Sequence, residues 1–123
     1  QVIGIGVDLV EVDRMRQAIT RTPSLVAKLF TAGEQAYATA TRDPAARYAV
    51  RFAAKEAVMK ALGVGLGAFD WHDVEVVRSS AGAPSLVLSG RAATLSADAG
   101  VGSWLLTLSH TDSFAEAIAV AQA

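Results

Sequence analysis

The sequence predicts an α+β domain, and three observations lead to this fold class. A long alanine-rich stretch in the middle of the chain is bounded by residues that start and stop helices. Short apolar runs rich in β-branched residues lie near both ends of the chain. In the second half, short turns join strand-like runs directly, as they do in hairpins. Helices beside hairpin-linked strands are typical of the α+β class.

Composition indicates one domain spanning residues 1–123. The chain is 52% hydrophobic and carries a net charge of −1, a combination that argues against intrinsic disorder. It contains no cysteine, which excludes disulfides, thiolate zinc sites and a cysteine nucleophile. We find no apolar run of the ~18 residues that a membrane span needs, and no signal-like opening segment. We therefore expect no membrane association and a cytoplasmic location.

Charge is distributed unevenly along the chain. Residues 1–60 contain nine Lys or Arg and six Asp or Glu, whereas residues 61–123 contain two and six. A basic half is typical of proteins that bind an anionic partner, although charges facing water explain it equally well. The apolar fraction is high for so short a chain, which points to a homo-oligomer with apolar surface between its subunits.

The N-terminal elements follow from one apolar run and its neighbours. Residues 2–7 form a short β-branched run that we expect to be a buried strand ending at Asp8. A helix over about residues 10–18 should follow, with Arg14 and Arg16 on its polar face.

Two short helices should come next. Pro23 is placed to begin the first, which runs to about Leu29. Thr31 and Glu34 match a capping box, in which the threonine side chain accepts from a backbone amide and the glutamate reaches back. The second short helix should therefore start after Thr31 and end near Ala40.

The central helix has the strongest local signal. Its interior, residues 45–62, is rich in alanine and other strong helix formers. Asp43 can cap its start, Pro44 suits the first position, and Gly63 suits the C-terminal stop. The glycine-rich residues 63–67 follow, either as a simple helix end or as a loop whose amides contact a ligand.

The second half of the chain alternates between apolar and polar residues, as half-buried strands do. Residues 80–84 form the turn of a hairpin. We expect strands over 73–78, 85–88, 104–110 and 114–121, and a helix capped by Ser89 and ending at Gly100.

Two carboxylates are the leading candidates for chemistry. Asp8 ends an apolar strand, where ligand-facing groups are common, although a turn or helix-capping role is the simpler alternative. Glu56 shares one face of the central helix with Phe52 and Lys60, at spacings of four residues. The alternative for Glu56 is an exposed ion pair with Lys60, which would contribute only ~0.3–0.5 kcal/mol.

Cations and a strand-end histidine suggest a phosphate ligand. Arg47, Arg51 and Lys55 form a second stripe on the central helix, either to bind phosphate or as a solvated face. Ser109 and His110 end an apolar strand, and both can donate to an anion. With two carboxylates and no histidine cluster, these features suit Mg²⁺ and phosphate better than zinc.

Other site templates do not match. The glycine-rich run follows a helix instead of opening one and lacks the lysine of a P-loop. Ser109, His110 and Asp112 are the residue types of a catalytic triad, but adjacent strand residues point to opposite faces.

Four stretches, in order and over nearly the whole chain, resemble the holo-acyl-carrier-protein synthases. They are Gly4-Ile5-Gly6-Val7-Asp8-Leu9-Val10-Glu11, Phe30-Thr31-Ala32-Gly33-Glu34, the block from Arg51 to Gly63 with its Lys55-Glu56, and Leu108-Ser109-His110-Thr111. The resemblance implies a 4′-phosphopantetheinyl transferase-like fold, with a long central helix packed on a mainly antiparallel sheet. It also implies a homotrimer whose active sites lie at subunit boundaries.

The resemblance implies transfer of the 4′-phosphopantetheine arm of coenzyme A to a serine of apo-acyl-carrier protein or a carrier domain. Mg²⁺ would be the cofactor and adenosine 3′,5′-bisphosphate the second product. The alternative is a trimeric module that binds coenzyme A or a nucleotide without turnover. Nucleic-acid binding is disfavoured by the pI of about 6.1 and by the absence of aromatics among the basic residues.

The resemblance also assigns site residues. Asp8 and Glu56 correspond to the Mg²⁺ ligands and Lys60 to the lysine on the pyrophosphate, while either Glu56 or a water accepts the serine proton. Arg51 and His110 correspond to groups near the nucleotide 3′-phosphate, and Ser109 is a further coenzyme-binding candidate. Gly63 and Gly65 would line the coenzyme cleft. Arg14, with Arg16 and Arg21, would meet the acidic carrier protein.

Overall fold

The central helix organises the domain by lying across a three-stranded antiparallel sheet. The computed structural model describes all residues from Gln1 to Ala123. The strands are β1 (Val2–Glu11), β2 (Val74–Arg78), β3 (Pro84–Leu88), β4 (Ser103–His110) and β5 (Phe114–Gln122). The helices are α1 (Val12–Arg21), α2 (Leu25–Leu29), α3 (Ala32–Thr39), α4 (Ala45–Leu62) and α5 (Gly90–Asp98), with a 3₁₀ turn at Trp71–Asp73. The predicted α+β class is confirmed.

Strand order in the main sheet is β1-β5-β4, with both pairings antiparallel, and β2 and β3 form a separate hairpin. Strand β5 alternates strictly between a buried and a half-buried face. Its buried face consists of alanines at 115, 117, 119 and 121. Such small side chains allow α4 to lie close against the sheet. The other face of the sheet carries no covering layer within the chain.

Two groups of buried side chains flank α4. One surrounds Ala53, Ala57 and Val58 and faces β5 and the β2–β3 hairpin. The other holds the N-terminal helices, and in it the rings of Phe30 and Tyr48 lie 4.6 Å apart. The helix is therefore buried on most of its circumference.

Two predicted helix ends, the start of α3 and the end of α4, are confirmed by their hydrogen bonds. Thr31 and Glu34 form the expected capping box, with both reciprocal bonds present. Gly63 ends α4 with a φ of 70°, a left-handed conformation that side chains disfavour. Ser89 makes no side-chain cap to α5. Instead, the Asp73 carboxylate accepts from the first amides of that helix, including that of Arg91 at 3.0 Å.

Several boundaries near the N-terminus were wrong. The helix expected over about residues 10–18 spans Val12–Arg21, and the helix expected from Pro23 begins at Leu25. A further wrong boundary concerns the candidate site. The sequence predicts a strand ending at Asp8, but β1 continues to Glu11, and α1 begins only at Val12. The reason is pairing: β5 matches β1 residue for residue as far as Glu11 opposite Phe114. Asp8 therefore lies within a paired strand. None of the helices combines the length and apolar character needed to cross a membrane.

Candidate active site

The main cleft of the domain lies between β1, the N-terminal helices and α4, and has a volume of about 790 Å³. Most of its wall is apolar, with Met15, Leu25, Leu29, Phe52, Leu66 and Trp71 among the lining residues. Asp8 and Glu56 both line the cleft, so two carboxylates distant in sequence are brought to one cavity. An apolar cleft with a few convergent charged groups is the usual form of a ligand site.

Glycines on β1 explain why the two carboxylates meet. A Cβ at Gly6 would lie 1.9 Å from the backbone oxygen of Ala57, and one at Gly4 would lie 2.0 Å from that of Ala61. Strand and helix backbones thus touch directly, which only glycine permits. Asp8 follows Gly6 on the same side of the strand, and Glu56 precedes Ala57 on the helix.

Lys60 bridges the strand and the helix at this point. Its Nζ lies 3.1 Å from Oδ1 of Asp8 and donates to the Val7 carbonyl oxygen at 2.9 Å. The exposed Glu56–Lys60 pair considered from the sequence is not among the ion pairs of the structure. Lys60 therefore neutralises Asp8 and leaves Glu56 without a paired cation.

The surroundings of Glu56 disfavour its charge. Partial burial raises the pKa of the Glu56 carboxyl above its ordinary value, and the nearby Asp8 carboxylate raises it further. Lys60 acts in the opposite direction but does not cancel these effects. Two carboxylates with only one cation beside them carry net negative charge and are electrostatically suited to receive a metal ion.

The donor set fits Mg²⁺ better than a metal held entirely by protein. No group of three or more His, Cys, Asp or Glu side chains converges anywhere in the chain. Mg²⁺ commonly takes one or two carboxylates and completes its octahedron with waters and phosphate oxygens. Asp8 and Glu56 supply such a pair at a cleft with room for a phosphate ligand.

Comparison with known proteins agrees with this geometry. A family model described as the 4′-phosphopantetheinyl transferase superfamily matches residues 4–119. A holo-[acyl-carrier-protein] synthase of Moorella thermoacetica is 45% identical over 117 residues, which cover 95% of this chain and 91% of the relative. This chain belongs to the holo-[acyl-carrier-protein] synthase family. It is an enzyme of the phosphopantetheinyl transferase class, as the sequence resemblance implied.

Solved structures of holo-[acyl-carrier-protein] synthases share the fold over essentially the whole chain. The enzyme from Neisseria meningitidis superposes with a TM-score of 0.90 at 25% identity, covering 100% of both chains. The enzyme from Helicobacter pylori, solved in complex with coenzyme A, gives a TM-score of 0.85 at 28% identity, covering 96% of this chain and 99% of that one.

The three arginines predicted to meet a carrier differ in how available their side chains are. Arg14 lines the main cleft. Arg21 is exposed in the last turn of α1. Arg16 is held by two carboxylates, with Nη1 2.9 Å from Asp13 and Nη2 2.6 Å from Asp43. Arg14 is therefore the best placed of the three, and the docking role of all three remains a prediction.

Arg51 does not lie at the main cleft. It lines a second cavity of about 240 Å³ on another side of α4, together with Arg78 and Glu75. Its side chain is 1% exposed, and its Nε has no hydrogen-bond partner. The guanidinium carbons of Arg47, Arg51 and Arg78 all lie within 5.1 Å of the centroid of the Tyr37 ring.

The glycine-rich loop and the histidine motif occupy different places. Gly63 and Gly65 have open space where a side chain would be, and the neighbouring Leu66 lines the main cleft. Ser109 and His110 are exposed at the end of β4 and do not line this cleft. Within one protomer the structure does not bring them to Asp8 and Glu56, and their predicted contact with the coenzyme stays untested.

The stripe of Arg47, Arg51 and Lys55 is not a solvated face, and its lysine is not free to bind phosphate. Lys55 is fully buried and pairs with Glu34 at 2.8 Å. Its ammonium also donates to the Val74 carbonyl and, at 3.0 Å, to that of Trp71. Burial lowers the pKa of Lys55, and the Glu34 carboxylate partly restores it.

Sequence reasoning missed the role of Trp71 in shaping the cleft. Its ring stacks on Phe52 with centroids 5.1 Å apart, and both residues line the cavity. The hydrogen bond from Lys55 to the Trp71 carbonyl holds this wall in place. Lys28 on α2 is a further cleft residue that the motifs did not indicate. The basic, apolar character of residues 25–29 was the available signal.

Proposed function

We propose that this protein transfers the 4′-phosphopantetheine arm of coenzyme A to a serine of an apo-acyl-carrier protein, with Mg²⁺ as cofactor. Adenosine 3′,5′-bisphosphate would be the second product. The observation that carries the proposal is the convergence of Asp8, Glu56 and Lys60 at one apolar cleft. The family name and the coenzyme A complex of the Helicobacter pylori relative support it.

Transfer requires attack by the carrier serine oxygen on the β-phosphorus of coenzyme A. A bond forms between that oxygen and phosphorus, while the bond from phosphorus to the oxygen of the departing bisphosphate breaks. Lys60 donates to the diphosphate oxygens as they gain charge. Glu56, or a water beside it, accepts the serine proton as that bond forms.

Asp8 and Glu56 would hold the Mg²⁺ ion. When bound, the ion supplies neutralisation of charge on the diphosphate. Transfer of this kind depends mainly on positioning and charge compensation, so no covalent enzyme intermediate is required.

The active enzyme is a homotrimer in this proposal, and the open face of the main sheet supports it. Ile5 is 66% exposed on β1 and Leu105 is 54% exposed on β4, and Ile3, Val7 and Leu9 extend the same apolar face. A patch of this kind marks an interface in soluble proteins. Val7 and Leu9 flank Asp8 in the strand, so a subunit packed here would border the cleft.

A shared site would also give Arg51 a role. The buried Arg51 Nε lacks an acceptor in the protomer, and the guanidinium groups of Arg47, Arg51 and Arg78 gather around the Tyr37 ring. Two of these arginines, Arg51 and Arg78, line the small cavity together with Glu75. Such a cluster is suited to a phosphate group. We propose that the 3′-phosphate end of coenzyme A reaches this region of a neighbouring subunit, with His110 and Ser109 nearby.

Docking of the carrier protein is assigned to the basic rim of the cleft. Arg14 and Lys28 line the same cavity from α1 and α2. Acidic carriers would approach this rim and present their serine to Glu56. Surface charges of this kind steer association more than they add affinity.

Mass spectrometry of the carrier provides the test. The protein is incubated with coenzyme A, Mg²⁺ and an apo-acyl-carrier protein, and the carrier is weighed intact. A gain equal to one phosphopantetheine supports transfer, and Glu56→Gln in the same assay should abolish it. Coenzyme A binding without any mass gain would instead support the non-catalytic binding module.

A further inference from the structure

In the cleft without ligands, Lys60 forms an ion pair with Asp8. Its ammonium lies 3.1 Å from Oδ1 of Asp8 and is also held by the Val7 carbonyl oxygen at 2.9 Å. The contact is accessible: the Lys60 side chain is 53% exposed, whereas that of Asp8 is 17% exposed. Glu56, on the same helix, takes part in no ion pair. One carboxylate of the candidate metal pair is therefore covered by a cation and the other is open.

Charge neutrality links the occupants of this cleft. The two carboxylates and Lys60 together carry one net negative charge in the free protein. A divalent cation alone would leave one net positive charge, with the ammonium and the ion competing for Asp8. A diphosphate alone would leave three net negative charges. Only binding of both ligands brings the site back to about its starting charge, so each should favour the other.

We infer that Lys60 is a resident counter-ion of Asp8, which a divalent cation must displace and which the diphosphate of the coenzyme draws away. The consequence is cooperative binding of the divalent cation and coenzyme A in this enzyme. The inference rests on the proposed function, because it takes Asp8 and Glu56 as the metal ligands and Lys60 as the group on the diphosphate.

Lys60 is accessible enough for this exchange. It lies in the last turn of α4, where four rotatable side-chain bonds carry its ammonium, and its side chain is half exposed. By contrast, Lys55 on the same helix is fully buried and fixed by three acceptors. Lys55 is therefore a structural cation, whereas Lys60 is one that can exchange its partner.

Mn²⁺ binding tests the inference without any catalytic reaction. It is measured as the decrease in the electron paramagnetic resonance signal of unbound Mn²⁺. Titrations use the wild type and Lys60→Ala, each with and without coenzyme A and with no carrier protein. Mn²⁺ bound by free coenzyme A is subtracted from a protein-free titration. Removal of an exposed competing ion pair should tighten Mn²⁺ binding to the coenzyme-free protein by about fivefold.

The same experiment measures the coupling. Coenzyme A should tighten Mn²⁺ binding in the wild type. In Lys60→Ala this coenzyme-induced increase in Mn²⁺ affinity should be about fivefold smaller, because the variant already binds Mn²⁺ about fivefold more tightly without coenzyme A. By linkage, Mn²⁺ must tighten coenzyme A binding by the same factor, which isothermal titration checks. Lys28→Ala removes a cation from the same cleft without a contact to Asp8, and should change Mn²⁺ affinity less than about twofold.

The possible results distinguish failure of the metal site from failure of the counter-ion role of Lys60. Asp8→Asn should abolish Mn²⁺ binding at this site. If the wild type binds no Mn²⁺ under any condition, the metal role of Asp8 and Glu56 fails and the inference fails with it. If Asp8→Asn abolishes binding but Lys60→Ala leaves the affinity of the coenzyme-free protein unchanged or weaker, the metal site stands and the counter-ion role of Lys60 is overturned. Circular dichroism confirms that each variant is folded.

Discussion

The contact between β1 and α4 sets the position of Asp8, and Gly6→Ala is the substitution that tests it. The new Cβ would lie 1.9 Å from the Ala57 backbone oxygen, whereas real Cβ atoms essentially never approach within 3.0 Å. Strand and helix must therefore separate by at least 1.1 Å, the difference between these two distances. Both partners are backbone, so no side chain can rotate away. We expect a loss of about 3 kcal/mol in the free energy of unfolding, at the upper end of overpacking costs.

The same shift should reach the site, because Asp8 follows Gly6 on the strand and Glu56 precedes Ala57 on the helix. A displacement of about 1 Å can lower the rate of transfer by about 100-fold. Urea unfolding followed by circular dichroism gives the stability, and the carrier mass assay gives the rate. Gly65→Ala is the control for stability, since nothing lies within 4 Å of its Cβ position. Wild-type stability and rate in Gly6→Ala would refute the direct contact.

Four further predictions address charge, burial and interfaces. The pKa of Glu56 is raised in the folded protein, so its charged form lowers the free energy of unfolding at a pH above that pKa. This loss disappears as the pH falls toward 4.5, the ordinary pKa of the group. Metal-free Glu56→Gln should therefore unfold at higher urea than the wild type near neutral pH, with no gain in acid. Lys55→Met should cost about 3–5 kcal/mol by leaving Glu34 charged and buried, and adding Glu34→Gln should recover part of it in a double-mutant cycle. Ile5→Glu should reduce the sedimentation coefficient to that of a monomer and remove activity, and a trimeric active variant would contradict the shared site. Arg14→Glu should raise the KM for the carrier far more than that for coenzyme A, and equal effects would exclude a docking role.

Local sequence signals predicted the elements of the fold well where the chain determines its own ends. The capping box at Thr31 and the left-handed Gly63 lie where the residue types indicated. The end of β1 was missed because it depends on pairing with β5, a strand more than 100 residues away in the sequence. The cap of α5 was assigned to Ser89, although Asp73 from another element supplies it. Long-range partners of this kind leave no periodic trace in the sequence.

The candidate site shows the same division. Asp8 and Glu56 were singled out by their unusual places, and the family resemblance joined them, but spacing alone did not predict that they share a cleft. The glycines of β1 bring the two residues together because they let the strand touch the α4 backbone. That contact can be recognised only in the folded structure. The partner of Lys60 was also missed. The spacing of four residues on one helix favours Glu56, whereas the structure pairs Lys60 with Asp8 from a distant strand.

Helix α4 combines two opposite uses of adjacent residues. Lys55 and Glu56 are neighbours in sequence, but successive helix positions differ by about 100° in direction, so they face different environments. Lys55 is satisfied completely by Glu34 and two carbonyls, which fixes the wall of the cleft through Trp71. Glu56 lines the main cleft and takes part in no ion pair, so it is available to the Mg²⁺ ion that we propose. Because the two side chains face different surroundings, Lys55 can fix the wall of the cleft while Glu56 stays open to a ligand.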